Sequence, residues 1–181
     1  LALDANLADE NTGIGKNALG ANTTGAYNVA VGSGALAANT TASSNIAIGR
    51  NALAVNSTGA DNTAVGYGAL DSTTTASYNT GMGAGVMNAN TTGAANTAVG
   101  YVALASVTTA AGNTAIGSSS LTTNTGASNT AVGINTLLAN STGSEGVAIG
   151  AYALDANTTG ANNTAVGYQA LTTNTTAGDN T

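Results

Sequence analysis

The hexapeptide NTAVGY occurs at Asn62–Tyr67, Asn96–Tyr101 and Asn163–Tyr168, and these copies mark a period that runs through the chain. Aligned on its first residue, the motif recurs at 11, 28, 45, 62, 79, 96, 113, 129, 146, 163 and 180; nine of the ten intervals are 17 residues and one is 16. A frame held this long is the signature of a solenoid, in which each repeat is one coil and stacking supplies the burial that a single coil lacks. The consensus is N-T-A-V-G-Y-x-A-L-x-x-N-T-T-G-A-x. Residues 1–10 read as the tail of an earlier copy, 11–179 as ten copies, and 180–181 as the opening of another. Neither end resembles a cap, so the 181 residues are expected to be one solenoid array cut from a longer one.

The apolar columns predict an all-β chain. Position four holds Val65, Val99, Ile149 and their equivalents; position nine holds Leu70, Leu104, Leu154 and theirs. Runs of T-A-V and x-A-L lie between Gly, Asn, Ser and Thr, and no stretch has the helical spacing of large apolar residues. The expected fold is therefore a β-solenoid of 17-residue coils with two short strands each, and with Val65, Leu70, Val99, Leu104, Ile149 and Leu154 in its core.

Position five is glycine in every copy: Gly15, Gly32, Gly49, Gly66, Gly83, Gly100, Gly117, Gly133, Gly150 and Gly167. Invariance among copies that differ elsewhere implies φ > 0 or a close backbone approach. Position one is Asn, as at Asn28, Asn62, Asn96 and Asn163, except for Gly146. That exchange points to a left-handed turn residue. The second Asn column, at position twelve, admits Thr73 and Val107 and so suggests a side-chain ladder. Position three is Ala or Gly. With Val inside at position four, strand alternation places this small column outside, against another chain. Two one-residue deletions, in NTGASN at Asn124–Asn129 and between Asn6 and Asn11, fall in the NTTG segment and make it an exposed turn, so Gly126→Ala should be milder than Gly100→Val.

NTAVGYGAL, NIAIGRNAL and NTAVGYQAL resemble the head repeats of trimeric autotransporter adhesins and the NTAVGYxALxxNTTG arrays of bacterial and phage tail-fibre-like proteins. The resemblance spans the chain. It implies a left-handed parallel β-roll, side-by-side homotrimers, and an extracellular, cell-surface or virion setting. The period here is a few residues longer than in the adhesin heads, with the extra length in the NTTG turn.

Chemistry-bearing residues are scarce. The chain has no His or Cys, two basic residues and a net charge of −6. Nucleic-acid binding needs a basic footprint that is missing, and no apolar run is long enough for a membrane span. The start, LALDANLADEN, lacks the basic region of a signal peptide. No catalytic, cofactor or metal-ligating residue is assigned: Asp61, Glu145 and Asp179 share position seventeen and Asp71 and Asp155 position ten, too many coils apart for paired acid–base work. Acceptor-like triplets at Asn22, Asn39, Asn56 and Asn157 arise automatically from the repeat. Tyr67, Tyr101 and Tyr168 at position six, and Tyr27 and Tyr78 at seventeen, read as surface cover. The expected role is a structural or adhesive shaft or head, with itself as partner and a cell-surface or host receptor beyond. A self-assembling extracellular filament, and an ice-binding solenoid using Thr at positions thirteen and fourteen, are the alternatives.

Overall fold

The computed structural model describes residues 2, 3, 5, 6 and 8–181. Ten three-residue strands run from β1 (Thr12–Ile14) and β2 (Val29–Val31) through β6 (Thr97–Val99) to β10 (Thr164–Val166), one to each copy of the repeat. They form a single parallel sheet in sequence order. Its register is the repeat itself, with Ala47 opposite Ala64 and Val99 opposite Ile116. The chain is therefore a parallel β-solenoid.

Each coil has one strand, where two were expected. The x-A-L segment is turn: Ala18 N–H donates to Gly15 C=O at 3.3 Å and Asn22 N–H to Leu19 C=O at 3.2 Å. Positions seven, nine and seventeen all have positive φ, including Leu36 at 49°, Leu104 at 52° and Val102 at 48°. A non-glycine residue there costs roughly 1–3 kcal/mol. The cost is offset by full burial of the Leu side chain, about 1.5–3 kcal/mol, and by backbone pairing. Left-handed residues turn successive N–H groups toward opposite neighbours: Gly34 N–H donates back to Lys16 C=O at 2.9 Å, and Leu36 N–H forward to Ala52 C=O at 3.0 Å. Ladder bonds thus continue around the coil without a second strand.

The strand's inward residue is the small one. Ala30, Ala47, Ala64, Ala98, Ala115, Ala131 and Ala148 are buried, together with Ala at position eight and Leu at position nine from Ala18 and Leu19 to Ala153 and Leu154. Leu70, Leu104 and Leu154 lie in this core as expected. Val65 and Val99 do not: they are half-buried on the outer face, and Ile149 is 41% exposed there. The expected orientation is reversed because a single coil is too thin for Leu and Val to meet inside it. Leu at position nine already fills the space, and the opposing strand residue must be Ala. Coil five shows the limit. A Cβ on Gly81 would lie 3.1 Å from Leu70 Cδ1, 3.1 Å from Val86 Cγ1 and 3.2 Å from Met87 Cε, so the glycine makes room for the larger Val86.

The position-five glycines are doubly constrained. All ten have positive φ, from 123° at Gly15 to 142° at Gly66. A Cβ on Gly100 would sit 2.6 Å from the carbonyl carbon and oxygen of Gly117 in the next coil. Gly167, with no described coil beyond it, keeps φ at 134° but would meet only Ala170 Cβ at 4.0 Å. The milder effect expected at Gly126 does not hold, since a Cβ there would collide with the Gly143 carbonyl oxygen.

Both Asn columns are side-chain ladders, which corrects the turn role given to position one. Asn28, Asn62, Asn96 and Asn163 are buried and are not among the positive-φ residues. Asn28 Oδ1 accepts the Asn45 N–H at 3.0 Å, and Asn45 Oδ1 accepts the Asn62 N–H at 3.0 Å. At Gly146 the N–H still donates to Asn129 Oδ1 at 2.9 Å, but the glycine carries no side-chain oxygen for the next rung. The second column runs beside the first: Asn39 Nδ2 donates to Asn22 Oδ1 at 2.7 Å and to Ala42 C=O at 3.0 Å, and the same carbonyl accepts Asn28 Nδ2 at 2.9 Å. Two amides from opposite ends of a coil therefore meet on one carbonyl and hold the coil closed. The short coil keeps both ladders, with Asn129 N–H on Asn113 Oδ1 at 3.0 Å and Asn140 Nδ2 on Asn124 Oδ1 at 2.7 Å. Its deletion is taken up at exposed Thr125.

Candidate functional surface

Strand alternation, with Ala inside, turns positions two and four outward. Position four forms a column of Ile14, Val31, Ile48, Val65, Met82, Val99, Ile116, Val132, Ile149 and Val166, exposed or half-exposed throughout. Position two beside it is Thr, apart from Thr-sized or larger Val29, Ile46 and Val147. No charged residue interrupts either column. Ten strands at about 4.8 Å spacing make this face roughly 45 Å long and about 10 Å wide. The apolar column runs the length of this face with mostly Thr beside it, and the whole face is about the size of the largest patch on a typical monomer.

The other named surfaces differ in kind. Position-thirteen hydroxyls are spent within the fold, as Thr23 Oγ1 donates to Thr40 C=O at 2.9 Å and Thr158 Oγ1 to Thr175 C=O at 2.9 Å. Position-fourteen threonines, Thr24, Thr41 and Thr92 among them, are exposed. The acceptor-like Asn22, Asn39, Asn56 and Asn157 are buried in their ladder and out of reach of a modifying enzyme. Asp61, Glu145 and Asp179 remain in separate coils, and among the described residues no three of His, Cys, Asp or Glu come together. Among those residues, too, no helix is long and apolar enough to cross a membrane.

Tyrosines stand on either side of the apolar face. Tyr27 and Tyr78 precede β2 and β5 (Thr80–Met82), and Tyr67, Tyr101 and Tyr168 follow β4 (Thr63–Val65), β6 and β10. All five are exposed. The Arg50 guanidinium lies 5.7 Å from the centroid of Tyr67, and Tyr152 meets Tyr168 edge to face at 6.2 Å. The Asp71 carboxylate lies 3.7 Å from where a Cβ on Gly68, the residue after Tyr67, would be.

Sequence reasoning missed the left-handed positions seven and nine. Position seven was detectable: Asn17, Gly34, Asn51, Gly68, Gly85 and Asn135 exchange the two residue types that tolerate that conformation best. Position nine gave no signal, because Leu is not a residue that favours that conformation. No protein-family model, no curated protein and no solved structure matches this chain.

Proposed function

We propose that the chain is a segment of a fibrous shaft or head, of the surface-adhesin or tail-fibre kind, in which three copies pack side by side through their strand faces. The observation that carries this reading is the uncharged apolar column at position four, left outside by the single chain through ten coils. The partner is argued from period. A second copy presents the same column at the same coil spacing, so that Val and Ile can interleave along the whole face. Fixed negative charge sits in other columns, chiefly positions ten and seventeen, and does not oppose this contact.

The role is structural, with no reaction assigned, and the setting is extracellular, on a cell surface or virion. A receptor on a host or neighbouring cell is the distal partner of such a rod. Near-additive stacking lets an array of this kind vary in length at little cost to its fold. The ice-binding alternative is weaker, since the position-thirteen hydroxyls donate to carbonyls and the exposed Thr column is interrupted at Thr125.

The absence of Cys makes disulfide trapping a clean test. Val99→Cys, on the strand face, should give disulfide-linked pairs of chains under mild oxidation at low protein concentration. Thr92→Cys, on the exposed turn, should remain unlinked. Equal yields from the two positions would refute association through this face.

A further inference from the structure

We infer that coils three to six carry a binding strip for a linear β-1,4-linked glycan lying parallel to the rod axis. Tyr67 and Tyr101 occupy the same column two coils apart, and they are 59% and 63% exposed. Two coil spacings are about 10 Å, close to the length of two pyranose rings in an extended chain. In a β-1,4 chain successive rings are flipped, so sugars i and i+2 present the same face, and two platforms at this spacing meet equivalent faces. Between the tyrosines the column carries Ala84, followed by Gly85, so no large side chain rises from that coil to block the middle sugar.

Polar partners are present at one end. The Arg50 guanidinium lies 5.7 Å from the Tyr67 centroid, and the Asp71 carboxylate flanks Gly68, the residue after Tyr67. A carboxylate accepts from paired sugar hydroxyls and a guanidinium donates to ring and hydroxyl oxygens, while the apolar face of a pyranose stacks on an aromatic ring. Exposed aromatic rings that carry a polar hydroxyl suit an uncharged, amphipathic ligand. Position six lies past the glycine that ends the strand, so the strip is beside the apolar face and separate from it. The inference does not depend on how copies of the chain associate.

The test is calorimetric titration of the intact chain with cellohexaose and with cellobiose. The hexasaccharide should bind, with the disaccharide, too short to reach both rings, weaker by about tenfold or more. Tyr67→Ser and Tyr101→Ser should each weaken cellohexaose binding by about tenfold or more, and Tyr168→Ser should leave it unchanged. Serine already occupies this column at Ser33 and Ser118, so the variants keep a residue type the coil accepts; circular dichroism checks their fold. No binding at millimolar cellohexaose, equal binding of the two sugars, or equal loss at Tyr168→Ser would overturn the inference.

Discussion

Thr73→Asn should stabilise the protein. Thr73 interrupts the position-twelve ladder, and two buried atoms, Asn56 Oδ1 and Thr73 Oγ1, are left without a hydrogen-bond partner. Coil two is the template for repair: it shares Ala at position fifteen with coil four and lies between two coils of the same kind, and there Asn39 Nδ2 reaches Asn22 Oδ1 at 2.7 Å and Ala42 C=O at 3.0 Å. The new amide in coil four should likewise reach Asn56 Oδ1 and Ala76 C=O, and its own oxygen should accept from Asn90 Nδ2. Each net hydrogen bond contributes about 1 kcal/mol, and each orphaned buried group removed about 1–3 kcal/mol. Side-chain ordering and desolvation of the amide act against this. A net gain of about 2 kcal/mol corresponds to a rise in Tm of about 4–8 °C for a chain of this size, measured by far-UV circular dichroism. Val107→Asn is the control. It would lose buried methyl groups, and Asn90 Oδ1 already accepts the Gly93 N–H at 3.0 Å, so no gain is expected there. An unchanged or lower Tm for Thr73→Asn, or an equal gain for Val107→Asn, would refute the ladder as a source of stability.

Three other outcomes follow from the columns. Gly146→Asn should add the missing rung at position one and stabilise by about 1 kcal/mol, seen as a higher urea midpoint. Gly100→Ala should cost several kcal/mol because strain of about 1–3 kcal/mol is joined by collision with Gly117, whereas Gly68→Ala, also at positive φ but with only Asp71 Oδ2 near the new Cβ, should show the strain alone; equal Tm losses would contradict the close-approach account. Leu104→Ala should destabilise by about 2–5 kcal/mol through a core cavity, while Val99→Asp should leave the coil folded by circular dichroism yet abolish association.

The period and the parallel β-solenoid were legible because a frame repeated in ten copies averages over local ambiguity. Gly at position five was legible for the same reason, and the φ values of all ten bear it out. What sequence could not settle was which way a three-residue strand faces. T-A-V alternates small and large, and ordinary preference sends the large residue inward. Here Leu at position nine had already taken that space, a fact of coil thickness that no single column displays. The Asn columns misled for a related reason: Gly146 resembles a left-handed substitution, yet it only deletes a side chain from a ladder. Gly126 misled because a deletion nearby marks an exposed segment, although the residue itself packs against the next coil. For the candidate surfaces, Tyr67 and Tyr101 were visible as a column, whereas the approach of Asp71 to Gly68 depends on the turn at positions seven to ten.

The most direct measurement on the proposed role is the solution mass of the chain by light scattering. Association through the strand faces predicts three times the 17.1 kDa of one chain, with Val99→Asp returning it to a single chain. A wild-type mass of one chain would contradict the proposal.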